Sequence, residues 1–426
     1  MRLGPTVAKN LRHSLFTWSA QAGLDPIEIV SAEGAHFTDG QGRRILDMAS
    51  LVLNASAAIH HPRISDAIAR QAATLPAAGP AMATDIRGRY GEALASVTPP
   101  GLDKFLFTLG GADANEHAIK IARLVTGRPK IVTRHRSYHG ATLGALSATG
   151  DPRRLPFEPL LPGVVRVLDP YCYRCPFGWT PDICKRPCID HVEDVVRSEG
   201  PDTVAAVLIE AVVGTNGAFW GPPEYLARLR EICDRHGILL ILDEVLTGFG
   251  RTGRWFAFER FGVVPDMITM GKGITSGHAP LGAVAVNARV ASHFDGQPLV
   301  TGLTHSAHPI SLAAGLATIE VMKDEQLVER AERLDVVLAR RLAELEARHA
   351  KVGAVRSLGL YGVIELVKDR ETREPLEAPV KALARAALDR GVHLATRWNY
   401  IFVAPPLCVA ESDLAHGLDV IDHLLD

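Results

Sequence analysis

The chain has 426 residues, 47% hydrophobic and 22% charged, which suits a globular protein with a sizeable core and excludes a disordered or fibrous one. Lys and Arg number 46 against 48 Asp and Glu, a formal net charge of −2 that offers no broad basic field to a nucleic acid. No apolar run approaches the roughly 20 residues that cross a bilayer, and the opening MRLGPTVAKN lacks the apolar core of a secretion signal, so a cytoplasmic protein without membrane or nucleic-acid partners is expected.

Residues 1–55 carry strand-like stretches at 27–30 and 35–38 around the turn Asp39-Gly40, too little for a core of their own, so they are expected to join another part of the chain. From about residue 104 to 287, short β-branched runs alternate with helical patterns, the signature of βαβ units in a mostly parallel sheet. Strands are predicted at 105–108, 131–133, 164–168, 204–210, 238–243, 267–270 and 283–286, seven segments for one doubly wound sheet. Apolar residues at helical spacing predict helices over 113–125 and 224–236. The C-terminal part reads as α+β: a long charged helix over about 324–349, strands near 358–366 and 400–404, and helices around 376–390 and 411–425.

Three features fall at strand ends, where open α/β sheets bind ligands. Gly110-Gly111-Ala112 forms a glycine turn between a strand and a helix, either a plain turn or a place where free N–H groups receive a phosphate. Asp243 closes an apolar strand as metal ligand, helix cap or partner of a cationic heterocycle. Lys272 stands between Gly271 and Gly273 after another apolar strand, as a solvated charge or a Schiff-base nucleophile. Taken together, an anion cradle, an acid and a lysine are what pyridoxal phosphate requires for its phosphate, ring nitrogen and aldehyde.

With these residues in view, the chain resembles the class III, or omega, aminotransferases of the fold type I pyridoxal-phosphate enzymes, most closely the branch that uses taurine or other omega-amines with pyruvate. The likeness runs from Trp18-Ser19-Ala20-Gln21 to Ala404-Pro405-Pro406-Leu407, strongest in Leu242-Asp243-Glu244-Val245, Thr247-Gly248-Phe249-Gly250-Arg251-Thr252-Gly253 and Gly271-Lys272-Gly273. It implies a large cofactor-binding domain over 56–320, with a seven-stranded mostly parallel sheet, and a smaller α+β domain built from 1–55 and 321–426. In that likeness Lys272 carries the cofactor and Asp243 partners its ring nitrogen. Val245 and Tyr138, in Ser137-Tyr138-His139-Gly140, cover the two ring faces, with His139 beside them. Thr304 reaches the phosphate from the neighbouring subunit of a homodimer.

The chain departs from the family pattern in having Gly110-Gly111-Ala112 in place of Ser-Gly-Ser, Ala211 in place of proline, and His305 at an often aromatic position. Arg397 resembles the family's carboxylate-binding arginine, and otherwise reads as a loop surface charge. Glu210 is either a gate that pairs with Arg397 or a strand-end acid, and Trp18 a pocket wall or a core aromatic. Cys172, Cys175, Cys184 and Cys188 have zinc-like spacing on a proline-rich loop that a staple would help; they are read as free thiols, with no metal expected. The reaction expected is ping-pong amino transfer from an omega-amine or amino acid to a keto acid such as pyruvate. The rivals are a lyase, decarboxylase or racemase on the same scaffold, and a catalytically silent binding protein.

Overall fold

The computed structural model describes residues 4–426. Seven strands form the central sheet: β1 (Lys104–Thr108), β2 (Lys130–Arg134), β3 (Val164–Val167), β4 (Val204–Ile209), β5 (Leu239–Asp243), β6 (Met267–Met270) and β7 (Gly282–Val286). Their order is β1-β7-β6-β5-β4-β2-β3. Strands β6 through β3 run parallel, while β7 lies antiparallel to both β6 and β1. Every residue of β4, β5, β6 and β7 is buried, as largely apolar runs require when helices cover both faces.

Helix α1 (Gly111–Thr126) follows β1 and packs its apolar stripe, Ala114, Ala118, Ile121 and Ala122, into one of these faces. Helix Tyr225–His236 ends at Gly237 in the left-handed conformation, and β5 starts two residues later.

The expected single helix over 324–349 is instead the second of two, Pro309–Asp324 and Leu327–Arg348, separated at Gln326, whose φ is +51°. The first is buried nearly all round and packs on helices Pro62–Thr74 and Asp85–Ala95. Residues near the N-terminus form the strands Ile29–Glu33, His36–Asp39 and Arg44–Asp47, and the last pairs in parallel with Val392–His393. A third sheet holds Val352–Ser357, Gly362–Leu366, Tyr400–Val403 and Ala395–Arg397. Among the described residues no helix is long and apolar enough to cross a membrane.

Candidate active site

Where β1 meets α1, the backbone amides of Gly111, Ala112 and Asp113 donate to no described partner, and the first intrahelical bond is Ala114 N–H to the Gly110 carbonyl at 3.0 Å. No described side chain caps the helix. A 16-residue helix with a bare N-terminus is a site for a phosphate dianion, through the free N–H groups and the dipole. The glycines serve different ends. A Cβ on Gly110 would meet nothing within 4 Å, so the space beside the cradle is open, whereas a Cβ on Gly111 would stand 2.5 Å from Val245 Cγ1. Gly111 is therefore fixed by the close approach of Val245, which is half-buried over the turn.

Asp243, 4% exposed, ends β5 with both carboxylate oxygens occupied. Oδ2 accepts from Asn115 Nδ2 and His139 Nδ1, each at 2.7 Å, and Oδ1 accepts from the Val245 amide at 3.0 Å. Asn115 is itself held, donating to the His139 carbonyl at 2.8 Å and accepting from Thr269 Oγ1 at 2.7 Å. The His139 amide donates to Thr149 Oγ1 at 2.9 Å. Hydrogen bonds of this number fix the direction of a buried carboxylate.

Lys272 opens a 3-10 turn directly after β6 with φ +42°, a left-handed conformation that costs a non-glycine residue energy and is typical of functional positions. Its ammonium makes no hydrogen bond or ion pair among the described residues. Burial, aided by the nearby Arg153, lowers its pKa against the opposing pull of Asp243 and Glu210. The flanking glycines allow tight packing: a Cβ on Gly273 would lie 2.7 Å from Ser56 Oγ, and one on Gly271 would lie 3.0 Å from Gly111 N. Lysine loop and phosphate cradle thus lie against each other.

Tyr138 is half-buried, and its amide faces Glu210 Oε2 at 3.4 Å. The guanidinium of Arg153 sits 3.7 Å from the centroid of the Tyr138 ring and 6.0 Å from that of Trp18. Trp18 is 72% exposed, which removes its reading as a core aromatic. The pairing of Glu210 with Arg397 does not occur. Arg397 Nη2 instead donates to Asp151 Oδ2 at 2.6 Å, and Asp151 is also held by Arg153 at 3.0 Å through both oxygens. Burial alone would raise the Asp151 carboxyl, but the Arg153 hydrogen bonds and the two guanidinium charges hold it below the usual range. Glu210, 6% exposed, accepts from the Gly214 amide at 2.9 Å, and its backbone carbonyl takes the Arg134 guanidinium. Burial pushes its carboxyl up to about 7. Thr304 is exposed on a turn anchored by Ser306 Oγ, which donates to the Phe107 carbonyl of β1 at 2.5 Å.

The turn at Gly110–Ala112, Asp243, His139, Val245, Lys272, Tyr138 and Glu210 thus form one linked region at the ends of β1, β4, β5 and β6. Sequence reasoning missed Asn115, Thr269, Asp151 and Arg153. Asn115 alone had a signal, an amide side chain one turn into the helix that follows the glycines. The motif around Thr247 and Arg251 proves architectural. Glu244 binds Thr247 Oγ1 and the amides of Ala257 and Phe258, while fully buried Arg251 bonds the carbonyls of Leu360 and Pro405 and the hydroxyl of Ser50.

The family model for class-III aminotransferases matches residues 19–425. A leucine/methionine racemase of Thermococcus litoralis is 34% identical across 96% of this chain and 93% of its own length. A taurine–pyruvate aminotransferase of Bilophila wadsworthia is 34% identical across 94% of this chain and 92% of its own length. The crystal structure of a taurine:2-oxoglutarate aminotransferase from Bifidobacterium kashiwanohense, in complex with pyridoxal phosphate and glutamate, superposes with a TM-score of 0.95 at 35% identity, covering 100% of this chain and 98% of that one. With its sheet, its bare helix terminus and its acid and lysine so placed, the chain belongs to the class-III aminotransferases, which use pyridoxal phosphate as cofactor.

Proposed function

We propose that this protein transfers an amino group from an omega-amine or amino acid to a keto acid such as pyruvate, in two half-reactions at the site around Lys272. The observation that carries this reading is the buried, three-times hydrogen-bonded Asp243 beside an unpaired lysine whose pKa is lowered by burial. Pyridoxal phosphate, when bound, supplies an aldehyde that condenses with amines and an electron-poor ring that accepts the electron pair released at the substrate carbon. The free amides of Gly111, Ala112 and Asp113 hold the phosphate, doing with backbone what a serine hydroxyl would otherwise do. Asp243 holds the ring nitrogen protonated, and His139 and Asn115 fix the direction of its carboxylate. Val245 and Tyr138 confine the ring between them. Lys272, with a lowered pKa, has more of its amine neutral at ordinary pH and moves a proton between substrate and cofactor as general base, then acid.

Arg397 and Arg153 recognise the substrate's carboxylate or sulfonate. Two guanidiniums against the single carboxylate of Asp151 leave one positive charge, and Asp151 holds both arginines in place between visits of the anion. Trp18, exposed within reach of Arg153, forms part of the entrance. Glu210, paired with no cation, orients the Tyr138 segment through its amide. The exposed Thr304 completes the phosphate site of the other subunit in a homodimer, where the glycine turn offers no hydroxyl. The six unpaired cysteines agree with a cytoplasmic place.

The test is a panel of amino donors added without keto acid, with the cofactor followed by its absorbance. Stoichiometric conversion to the amine form, reversed by pyruvate, is expected. Racemisation of an amino acid with no lasting conversion would favour the alternative that the racemase relative raises.

A further inference from the structure

Arg397 ends the short strand Ala395–Arg397 and pairs with Tyr400 across a turn in which Trp398 has φ +51°. A long, flexible side chain on such a hairpin tip has many rotamers open to it, and only its contacts decide where the charge stays. Two contacts hold this one. The guanidinium carbon lies 4.2 Å from the centroid of the Trp398 ring, itself packed against the core, and Nη2 donates to Asp151 Oδ2 at 2.6 Å. Nε is buried and has no hydrogen-bond partner among the described residues. Glu210, the other acid of the site, is taken by the amides of Gly214 and Tyr138 and offers no second resting place.

Asp151 is anchored independently of Arg397. Its amide donates to the Ser137 carbonyl at 3.1 Å. Its Oδ1 caps the 3-10 turn Pro152–Phe157, accepting from the Arg153 amide at 2.8 Å and from Arg153 Nε at 3.0 Å. Its Oδ2 accepts from Arg153 Nη2 at 3.0 Å as well as from Arg397. These four donors match the roughly four lone-pair sites of a carboxylate, so Arg397 cannot leave without emptying one of them on a buried anion. The Asp151 side chain is fully covered while that of Arg397 is 21% exposed, so an anion entering from solvent meets the guanidinium and not the carboxylate behind it.

We infer that Asp151 is a positioning residue that clamps Arg397 in the site, and that the clamp restricts the enzyme to substrates carrying an acid group: an amino acid or aminosulfonate in one half-reaction, a keto acid in the other. The restriction rests on the amino-transfer reading; the clamp rests on the contacts alone. The acid group takes N–H groups that Asp151 leaves free, Arg397 Nε among them, while Asp151 stays in place. An uncharged amine of the same length finds a guanidinium that cannot move aside, and strips it of water without giving it a partner.

The test compares kcat/KM for taurine and 3-aminopropanoate with that for 3-methylbutylamine, an uncharged amine of matching length, in the holoenzyme with pyruvate as acceptor. The wild type should prefer the acid donors by at least about 100-fold. Asp151→Ser keeps a cap for the 3-10 turn but does not reach Arg397, and Asp151→Asn turns an NH₂ toward one of its donors. Both should narrow the preference by about 10- to 100-fold, mainly through a higher KM for the acid donors. Calorimetric binding of 2-hydroxyethanesulfonate, which has no amino group to transfer, should weaken by a similar factor in both variants. A loss of kcat shared equally by all donors with the preference kept would reduce Asp151 to a structural role and overturn the proposal. Tighter sulfonate binding by the variants would do so too, because Asp151 would then compete with the anion and not clamp its receptor. A wild type that uses the uncharged amine as well as the acid donors would overturn it even if neither variant folds. If no donor is converted at all, the amino-transfer reading fails, and sulfonate binding still decides the clamp.

Discussion

Replacing Asp243 by Asn tests the electrostatic core of the site with almost no change in shape. In the wild type, one carboxylate oxygen faces two donors, Asn115 Nδ2 and His139 Nδ1 at 2.7 Å, and the other faces the Val245 amide at 3.0 Å. An amide has one acceptor oxygen, so either orientation sets its NH₂ against a buried donor. Turned toward Asn115 and His139, its oxygen keeps both bonds and loses only that from Val245, which costs about 1–3 kcal/mol of stability. The fold and the phosphate cradle, which Asp243 does not touch, survive. The larger loss is chemical, because a neutral amide does not hold a protonated ring nitrogen. Removing one partner of a buried charge pair costs about 3–5 kcal/mol, which as a barrier means kcat lower by about 10² to 10⁴. The assay compares kcat with cofactor released on denaturation, and occupancy should remain near one per chain while kcat falls. A variant with full occupancy and near-normal kcat would refute the assignment of Asp243.

Arg397→Ala or Arg153→Ala should raise KM for a sulfonate or carboxylate donor by about 10- to 100-fold, since a charged hydrogen bond is worth about 1.5–3 kcal/mol, and should spare an uncharged arylalkyl amine; equal effects on both substrates would count against anion recognition. Because burial raises the native Glu210 carboxyl from its ordinary 4.5 to about 7, the protonated native form is favoured, and its share of stability is present below pH 4.5 and lost as pH rises through 7. Glu210→Gln should therefore flatten the decline in melting temperature between those pH values, and an unchanged profile would place its titration elsewhere. Mixing inactive Lys272→Ala protein with an inactive Thr304→Glu variant should restore activity, because one site of the heterodimer then has both residues intact. No recovery despite proven subunit exchange would argue against shared sites.

What the sequence revealed follows from burial. The runs in β4, β5 and β6 read as strands because both faces are covered and only Thr269 and the terminal Asp243 break the apolar sequence. The glycine turn, Asp243 and Lys272 were legible because each stands at an abrupt change from apolar strand to loop. Helix Pro309–Asp324 escaped notice for the opposite reason: apolar on almost every side, it has no polar face to mark its period. Nor does any local pattern announce the run Ser50–Leu53, where four consecutive non-glycine residues have positive φ, tied down by Asp47 to the Ala49 and Leu51 amides and by Ser50 Oγ to the Ala404 carbonyl. The partner of Arg397 was missed because Asp151 lies 246 residues away and only the fold joins them. Glu210, nearer in motif, is already satisfied by amides from its own neighbourhood.

The central claim is that Lys272 is the residue to which the cofactor attaches. Reduction of the holoenzyme with borohydride, followed by digestion and mass spectrometry, should place the pyridoxyl label on the peptide that contains Gly271-Lys272-Gly273 and leave Lys272→Ala protein unlabelled. A label on any other lysine, or equal labelling of the variant, would contradict the account.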